Sequence, residues 1–134
     1  MTQENVKVLG NVYRKATDIN ADTTLDLYDT GRLLVVSGTS ALTCSLPAVS
    51  NLTEGWNVAI VLASDHSHSV DGMGTLGFGV SSGVNGHSGL ENISSLTANN
   101  SGAEANKIGS IIEIFFDGII YHIRTSGTDT FTSA

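Results

Sequence analysis

The chain reads as an all-β protein: a single-domain antiparallel β-sandwich or jelly-roll-like barrel with an extended N-terminal arm. Three observations predict this. In LTCSL, residues 42–46, Leu42, Cys44 and Leu46 alternate with Thr43 and Ser45, the period-2 pattern of a half-buried strand. The runs IIEIFF and IIYHIR flank Asp117-Gly118, a pair that tolerates the positive φ angles of a hairpin turn. No segment of a dozen residues spaces its apolar positions as a helix does, which leaves sheet-on-sheet packing to form the core.

The elements follow in chain order. Residues 5–15, NVKVLGNVYRK, are two short β-prone pieces around a glycine and read as an extended arm or edge strand. Residues 1–22 are assigned to this arm, 23–127 to the β domain and 128–134 to a polar C-terminal tail, read either as a mobile end or as an exposed edge strand. TLDLY, residues 24–28, alternates and predicts a strand, which Thr30-Gly31 ends. Residues 32–37 and 42–46 predict the next two strands, with Gly38 at the turn between them. PAVSNLTEG, residues 47–55, is a loop. In NVAIVLA both faces are apolar, as expected for a central strand covered on both sides. Residues 64–107 hold eight of the fifteen glycines, and two or three short strands between long loops fit that punctuation. At the end, Ile112, Ile114 and Phe116 alternate with Ile111, Glu113 and Phe115. A two-residue type I′ turn at Asp117-Gly118 then leads to Ile119, Tyr121 and Ile123 on one face and Ile120, His122 and Arg124 on the other. The sum is about eight short strands.

Composition narrows the function. The chain has 134 residues, enough for one real core, and 40% of them are hydrophobic. Only 14% are charged, and Ser, Thr, Gly and Asn make up the polar surface. A net charge of −7 argues against a general nucleic-acid binder, which needs a basic footprint. Lys7, Arg14, Lys15 and Arg32 form the one basic concentration, in the first quarter of the chain. The longest apolar runs, NVAIVLA and IIEIFF, are far short of a membrane span, and MTQENVKVLG lacks the basic start and apolar core of a signal peptide. No membrane partner and no cleaved leader are expected. Cys44 is the single cysteine and shares a strand face with two leucines, so it is expected to be a buried small hydrophobe and not a nucleophile.

Two motifs invite chemistry. In DHSHSVD, residues 65–71, His66 and His68 are two apart between carboxylates, close to the HxHxD pattern of metallo-hydrolases. The acid comes one residue late, and only His87 and His122 remain as further imidazoles, so no metal is expected there. GMGTLGFG, residues 72–79, resembles a phosphate loop, but no Lys-Ser or Lys-Thr closes it and no helix follows. No nucleophile elbow or ordered triad is visible. The expectation is a non-enzyme without catalytic residues, metal or cofactor.

The order of segments is informative where single motifs are not. TLDLYDTGRLLVVSG leads to LTCSLPAV, then to GWNVAIVLAS, and after DGMGTLG to GSIIEIFFDGIIYHIRTSG. This order resembles small β-structured modules of tailed-phage virions, over residues 23–127. Such modules are found in capsid decoration (cement) proteins and in tail-fibre segments. In those modules a Trp often follows the closing Asp-Gly; here Tyr121 stands in that place and the only Trp is Trp56. The resemblance implies a non-enzymatic decoration protein that binds and stabilises the capsid shell. Its partner would be the major capsid protein lattice, and it would be a homotrimer on the outer surface of a virion assembled in the host cytoplasm. The alternative it implies is a tail-fibre or host-recognition module that binds glycans. If 134 residues are the whole product, decoration is the expectation, since neither an attachment region nor repeats are present. The arm supplies the candidate contact residues: the β-prone Val6, Val8, Leu9 and Tyr13, and the basic Lys7, Arg14 and Lys15.

Overall fold

The computed structural model describes residues 15–72, 77–79, 84–85, 91–93, 95–98, 108–126 and 131–133. Among them the chain is all-β, with thirteen strands, two short 3-10 turns and no α-helix. The first six strands are β1 (Ala16–Ile19), β2 (Thr23–Thr24), β3 (Arg32–Val36), β4 (Thr43–Ser45), β5 (Asn57–Leu62) and β6 (Ser69–Asp71). Four short strands follow: β7 (Gly77–Gly79), β8 (Val84–Asn85), β9 (Glu91–Ile93) and β10 (Leu96–Ala98). The last three are β11 (Ile111–Phe116), β12 (Tyr121–Ser126) and β13 (Phe131–Ser133). Many are two or three residues long, so they outnumber the eight expected.

They form a seven-stranded sheet, β9-β7-β12-β11-β5-β3-β1, and a six-stranded sheet, β2-β4-β6-β10-β13-β8. From β1 to β10 successive strands alternate between the two. The consequence is a winding chain. β1, β3 and β5 lie side by side and parallel in one sheet, and β2, β4 and β6 do the same in the other. Parallel neighbours cannot be joined by a tight turn and need a crossover. Here each crossover is a strand of the opposite sheet. The expected antiparallel architecture is therefore corrected to mixed sheets. Antiparallel pairing enters where β11 adds to β5, β12 to β11, and β10 to β6. The expected hairpin across Gly38 is absent because β3 and β4 belong to different sheets. Both sheets are open among the described residues, so the barrel form of the expectation is not met.

Strand faces follow the sequence pattern closely. Leu34, Val36, Val58, Ile60, Leu62, Ile112, Ile114, Phe116 and Ile123 of the larger sheet join Leu42, Cys44, Leu46, Val70, Leu96 and Ala98 in one buried cluster. Burying each of these larger aliphatic or aromatic side chains contributes roughly 1.5–3 kcal/mol. β5 is central, between β3 and β11. Its second face is covered unevenly: Ala59 is buried and Val61 half-buried.

Three local departures have identifiable causes. TLDLY does not continue as a strand. After β2 the chain enters a 3-10 turn at Leu27–Asp29, because Asp26 Oδ1 accepts from Tyr28 N and Asp29 Oδ2 accepts from Asp26 N, both at 2.8 Å. Short acidic side chains offer the backbone these bonds in place of a ladder. The closing hairpin exists, but Phe116 pairs with Tyr121, so the loop is Asp117–Ile120 and not two residues. Asp117 Oδ1 accepts from both Ile119 N (2.8 Å) and Ile120 N (2.9 Å), while Gly118 takes the positive φ of 103° that the Asp-Gly pair signalled. Phe131–Ser133, read as polar tail, pairs with β10 and β8.

At one end the core finishes in an aromatic plug. Trp56 meets Tyr121 edge-on with centroids 6.1 Å apart, and Phe116 tilts against Tyr121 at 5.7 Å. Each polar tip has a partner: Trp56 Nε1–H donates to Asp26 O at 3.1 Å, and the Tyr121 hydroxyl donates to Pro47 O at 2.6 Å. Tyr121 is fully buried, and burial pushes its phenol up to about 12, so it remains a donor across the physiological range. Tyr121→Phe is expected to leave the Pro47 carbonyl without this bond. Urea unfolding should show a loss of about 1–3 kcal/mol with an unchanged m value.

Candidate interaction surface

The plug organises three loops. Residues 25–31 are tied to it by the Trp56–Asp26 bond, and by Gly31 N to Asn57 O (2.7 Å) and Asn57 N to Thr30 Oγ1 (3.1 Å). Residues 46–56 are tied by the Tyr121–Pro47 bond and by Gly55 N to Phe116 O at 2.8 Å. The hairpin loop 117–120 grows directly out of Phe116 and Tyr121. These loops carry four of the large exposed apolar side chains among the described residues: Leu27, Tyr28, Val49 and Ile119. Tyr28 is 80% and Ile119 76% exposed, on backbone that is hydrogen-bonded into the core. Apolar tips on fixed loops suit a binding surface, because little backbone freedom remains to be lost on contact.

The hairpin loop has its own electrostatic lock. Asp117 Oδ2 lies 2.8 Å from His122 Nε2, and the His122 ring stacks on Phe115 with centroids 5.4 Å apart and an interplanar angle of 13°. The Ile120 amide, then His122, then the Ile119 amide hold the Asp117 carboxyl down to about 2. Two register positions away along β11, on the same face, Glu113 faces Arg124, whose Nε donates to Glu113 Oε1 at 2.9 Å.

The sequence-selected residues fall as follows. Of the arm candidates, Val6, Lys7, Val8, Leu9, Tyr13 and Arg14 lie outside the described residues. Lys15 is exposed immediately before β1, and its carbonyl accepts from Leu33 N at 3.0 Å, which anchors the start of β1 to β3. Among the described residues β1 is an edge strand, and its Ile19 reaches the core.

The two histidines of DHSHSVD have different roles. His68 is buried; its Nδ1 accepts from Leu42 N at 3.1 Å and its Nε2 lies 2.9 Å from Ser64 Oγ. A ring nitrogen that accepts an amide proton is unprotonated, so Nε2 carries the hydrogen and donates to Ser64. His68 is thus a neutral crosslink between the β3–β4 and β5–β6 connections. His66 packs edge-on against it at 5.8 Å. Among the described residues no group of three or more His, Cys, Asp or Glu is placed to hold a metal ion. In GMGTLGFG, residues 73–76 lie outside the described residues, and Gly77–Gly79 is the strand β7 between β12 and β9. No helix among the described residues is long and apolar enough to cross a membrane.

Cys44 occupies the position expected of it, 1% exposed in the buried apolar cluster. Burial first, then Asp22 and Asp71, push its thiol up to about 11. The thiolate is the reactive form, so iodoacetamide should label Cys44 only through unfolding, at a rate that follows denaturant. Labelling of the native protein at the rate of an exposed thiol would contradict this placement.

A pH dependence follows from Asp117. Its folded value is depressed from an ordinary 3.8 to about 2, so its contribution to stability is present above the ordinary value and lost as pH falls through 2. Unfolding measured from pH 5 to 2 should lose a component of its slope in Asp117→Asn, and a carboxyl titration by NMR should place Asp117 well below the ordinary aspartate value. Comparison of the chain with family models, curated proteins and solved structures gave no match.

Proposed function

We propose that the chain is a non-enzymatic structural module of a phage virion, a capsid decoration protein that docks through its loop end and stabilises the shell. The observation that carries this reading is the group of exposed apolar side chains, Tyr28, Ile119 and Val49, on loops fixed by the Trp56–Tyr121 plug. The order of segments over residues 23–127 supports it. In this reading the two sheets stack face to face as a sandwich, which gives a rigid body that needs no internal rearrangement on docking. Contacts that exist only on an assembled lattice of capsid protein shift the equilibrium toward assembly by mass action. A homotrimer with three loop ends multiplies modest single contacts. The charge of −7 fits a protein surface as partner better than nucleic acid.

A second reading, a tail-fibre or host-recognition module, is favoured by one observation. Phe115 is 49% exposed on the outer face of the larger sheet and is held there by the His122 stack. Aromatic rings presented in this way are the usual platform for sugars.

The test is location followed by occupancy. The protein should co-purify with intact virions and map to the head. Tyr28→Ser/Ile119→Ser should reduce capsid occupancy by roughly tenfold, since exposed aromatic and aliphatic anchors carry most of the energy of such contacts. Its thermal midpoint should stay unchanged. A chain lacking residues 1–12 separates the two surfaces. Full occupancy by the truncated chain assigns docking to the loops; loss of occupancy relative to the intact chain, largest at low salt and shrinking as salt screens the intact arm, assigns it to the basic arm. A map to the tail alone overturns the decoration reading.

A further inference from the structure

The outer face of the larger sheet holds a depression that borders the loop end at Gly55 and Phe116. It has a volume of ≈ 410 Å³, is open to solvent and is lined by Asn57, Glu113, Phe115 and Arg124 together with Val58 and Ile114. Register explains why these side chains meet. Phe115 stands opposite Asn57 on β5 and His122 on β12; Glu113 stands opposite Ala59 and Arg124. All of them point away from the core, since their neighbours Val58, Ile112, Ile114 and Ile123 are buried.

We infer that this depression is a binding site for an uncharged saccharide, one or two pyranose rings in size. Four features point to that class. The volume falls within the range of small-ligand sites. Phe115 offers an aromatic surface on which the C–H face of a pyranose packs, and the His122 stack fixes its rotamer. Glu113, Arg124 and Asn57 supply a carboxylate, a guanidinium and a carboxamide, planar groups whose paired acceptors and donors match adjacent hydroxyls. They are already ordered: Arg124 Nε is bonded to Glu113, and Asn57 Nδ2 donates to Gly55 O at 2.9 Å. Charged ligands are disfavoured from both sides. The Glu113–Arg124 pair leaves the depression without net charge, so neither an anion nor a cation finds an unpaired partner there, and the net charge of −7 further disfavours an anion.

This site deepens the host-recognition reading and rests on it. It is tested on the isolated chain, so its failure is separate from the outcome of locating the protein on head or tail. The intact chain, labelled for amide NMR, is titrated with maltotriose, cellotriose and chitotriose, and in parallel with a sulfated trisaccharide. At least one neutral trisaccharide should shift the amides of Asn57, Glu113, Phe115 and Arg124 with a Kd near ~1 mM, the affinity a single shallow site supports. The sulfated probe should bind more weakly. Phe115→Ala and Arg124→Ala should each weaken binding by roughly tenfold with the thermal midpoint held, since both side chains are substantially exposed. Absence of shifts with all three neutral probes overturns the inference, as do shifts confined to other regions. Undiminished binding by both variants, or tighter binding of the sulfated probe, overturns it as well.

Discussion

The structure depends on how one aromatic cluster is satisfied. Trp56, Phe116 and Tyr121 come from the start of β5, the end of β11 and the start of β12, so they join three strands at one end of the larger sheet. Large rings at the end of a core carry much apolar area, but Trp and Tyr also bring an N–H and an O–H that burial would orphan. Both tips are given to main-chain carbonyls of loops, Asp26 and Pro47. A requirement of the core thereby becomes a constraint on the surface. Satisfying the rings fixes the loops, and the fixed loops present Tyr28, Val49 and Ile119 to solvent. The interior chemistry and the proposed docking surface are two sides of the same hydrogen bonds.

Much of the fold was legible in the sequence because period 2 states which residues share a face. Leu42, Cys44 and Leu46 are buried together as their spacing required, and β5 is central as its two apolar faces required. What the pattern cannot state is which strand lies alongside. The alternation of LTCSL is the same whether its neighbour is antiparallel through a turn at Gly38 or parallel through a strand of the other sheet. The antiparallel expectation failed at that point. Local side chains decided the smaller departures. Asp26 and Asp29 close a 3-10 turn, and Asp117 caps two amides, which lengthens the hairpin loop. Their effect lies in carboxylate-to-amide bonds that hydrophobic periodicity does not register.

The candidate surfaces were less legible, for a related reason. Exposed apolar residues on loops have no period, so Tyr28 and Ile119 resembled the ends of strands. TLDLY and IIYHIR absorbed them into alternation. Phe115 and Asn57 are far apart in sequence and become neighbours only through the β5–β11 register. The residues chosen in the arm were selected on charge and β propensity; of these, Lys15 is seen, tied by its backbone to β3. The DHSHSVD segment shows the opposite case. Its apparent ligand spacing places one imidazole, His68, as a buried bridge between a backbone amide and a serine.

The alternation of strands between sheets has a consequence for the order in which the protein can be made. During synthesis the chain emerges from its N-terminus, and β1 to β6 can wind as soon as they are available. One side of β5 then waits for β11, which arrives only after the glycine-rich region has been added. Until then a strongly apolar strand has an open edge, the condition under which nascent chains pair with one another. Contacts that join distant segments also make closure slow. The C-terminal hairpin is therefore the element that seals the sheet, and any truncation upstream of Ile111 would release a wound but unsealed chain.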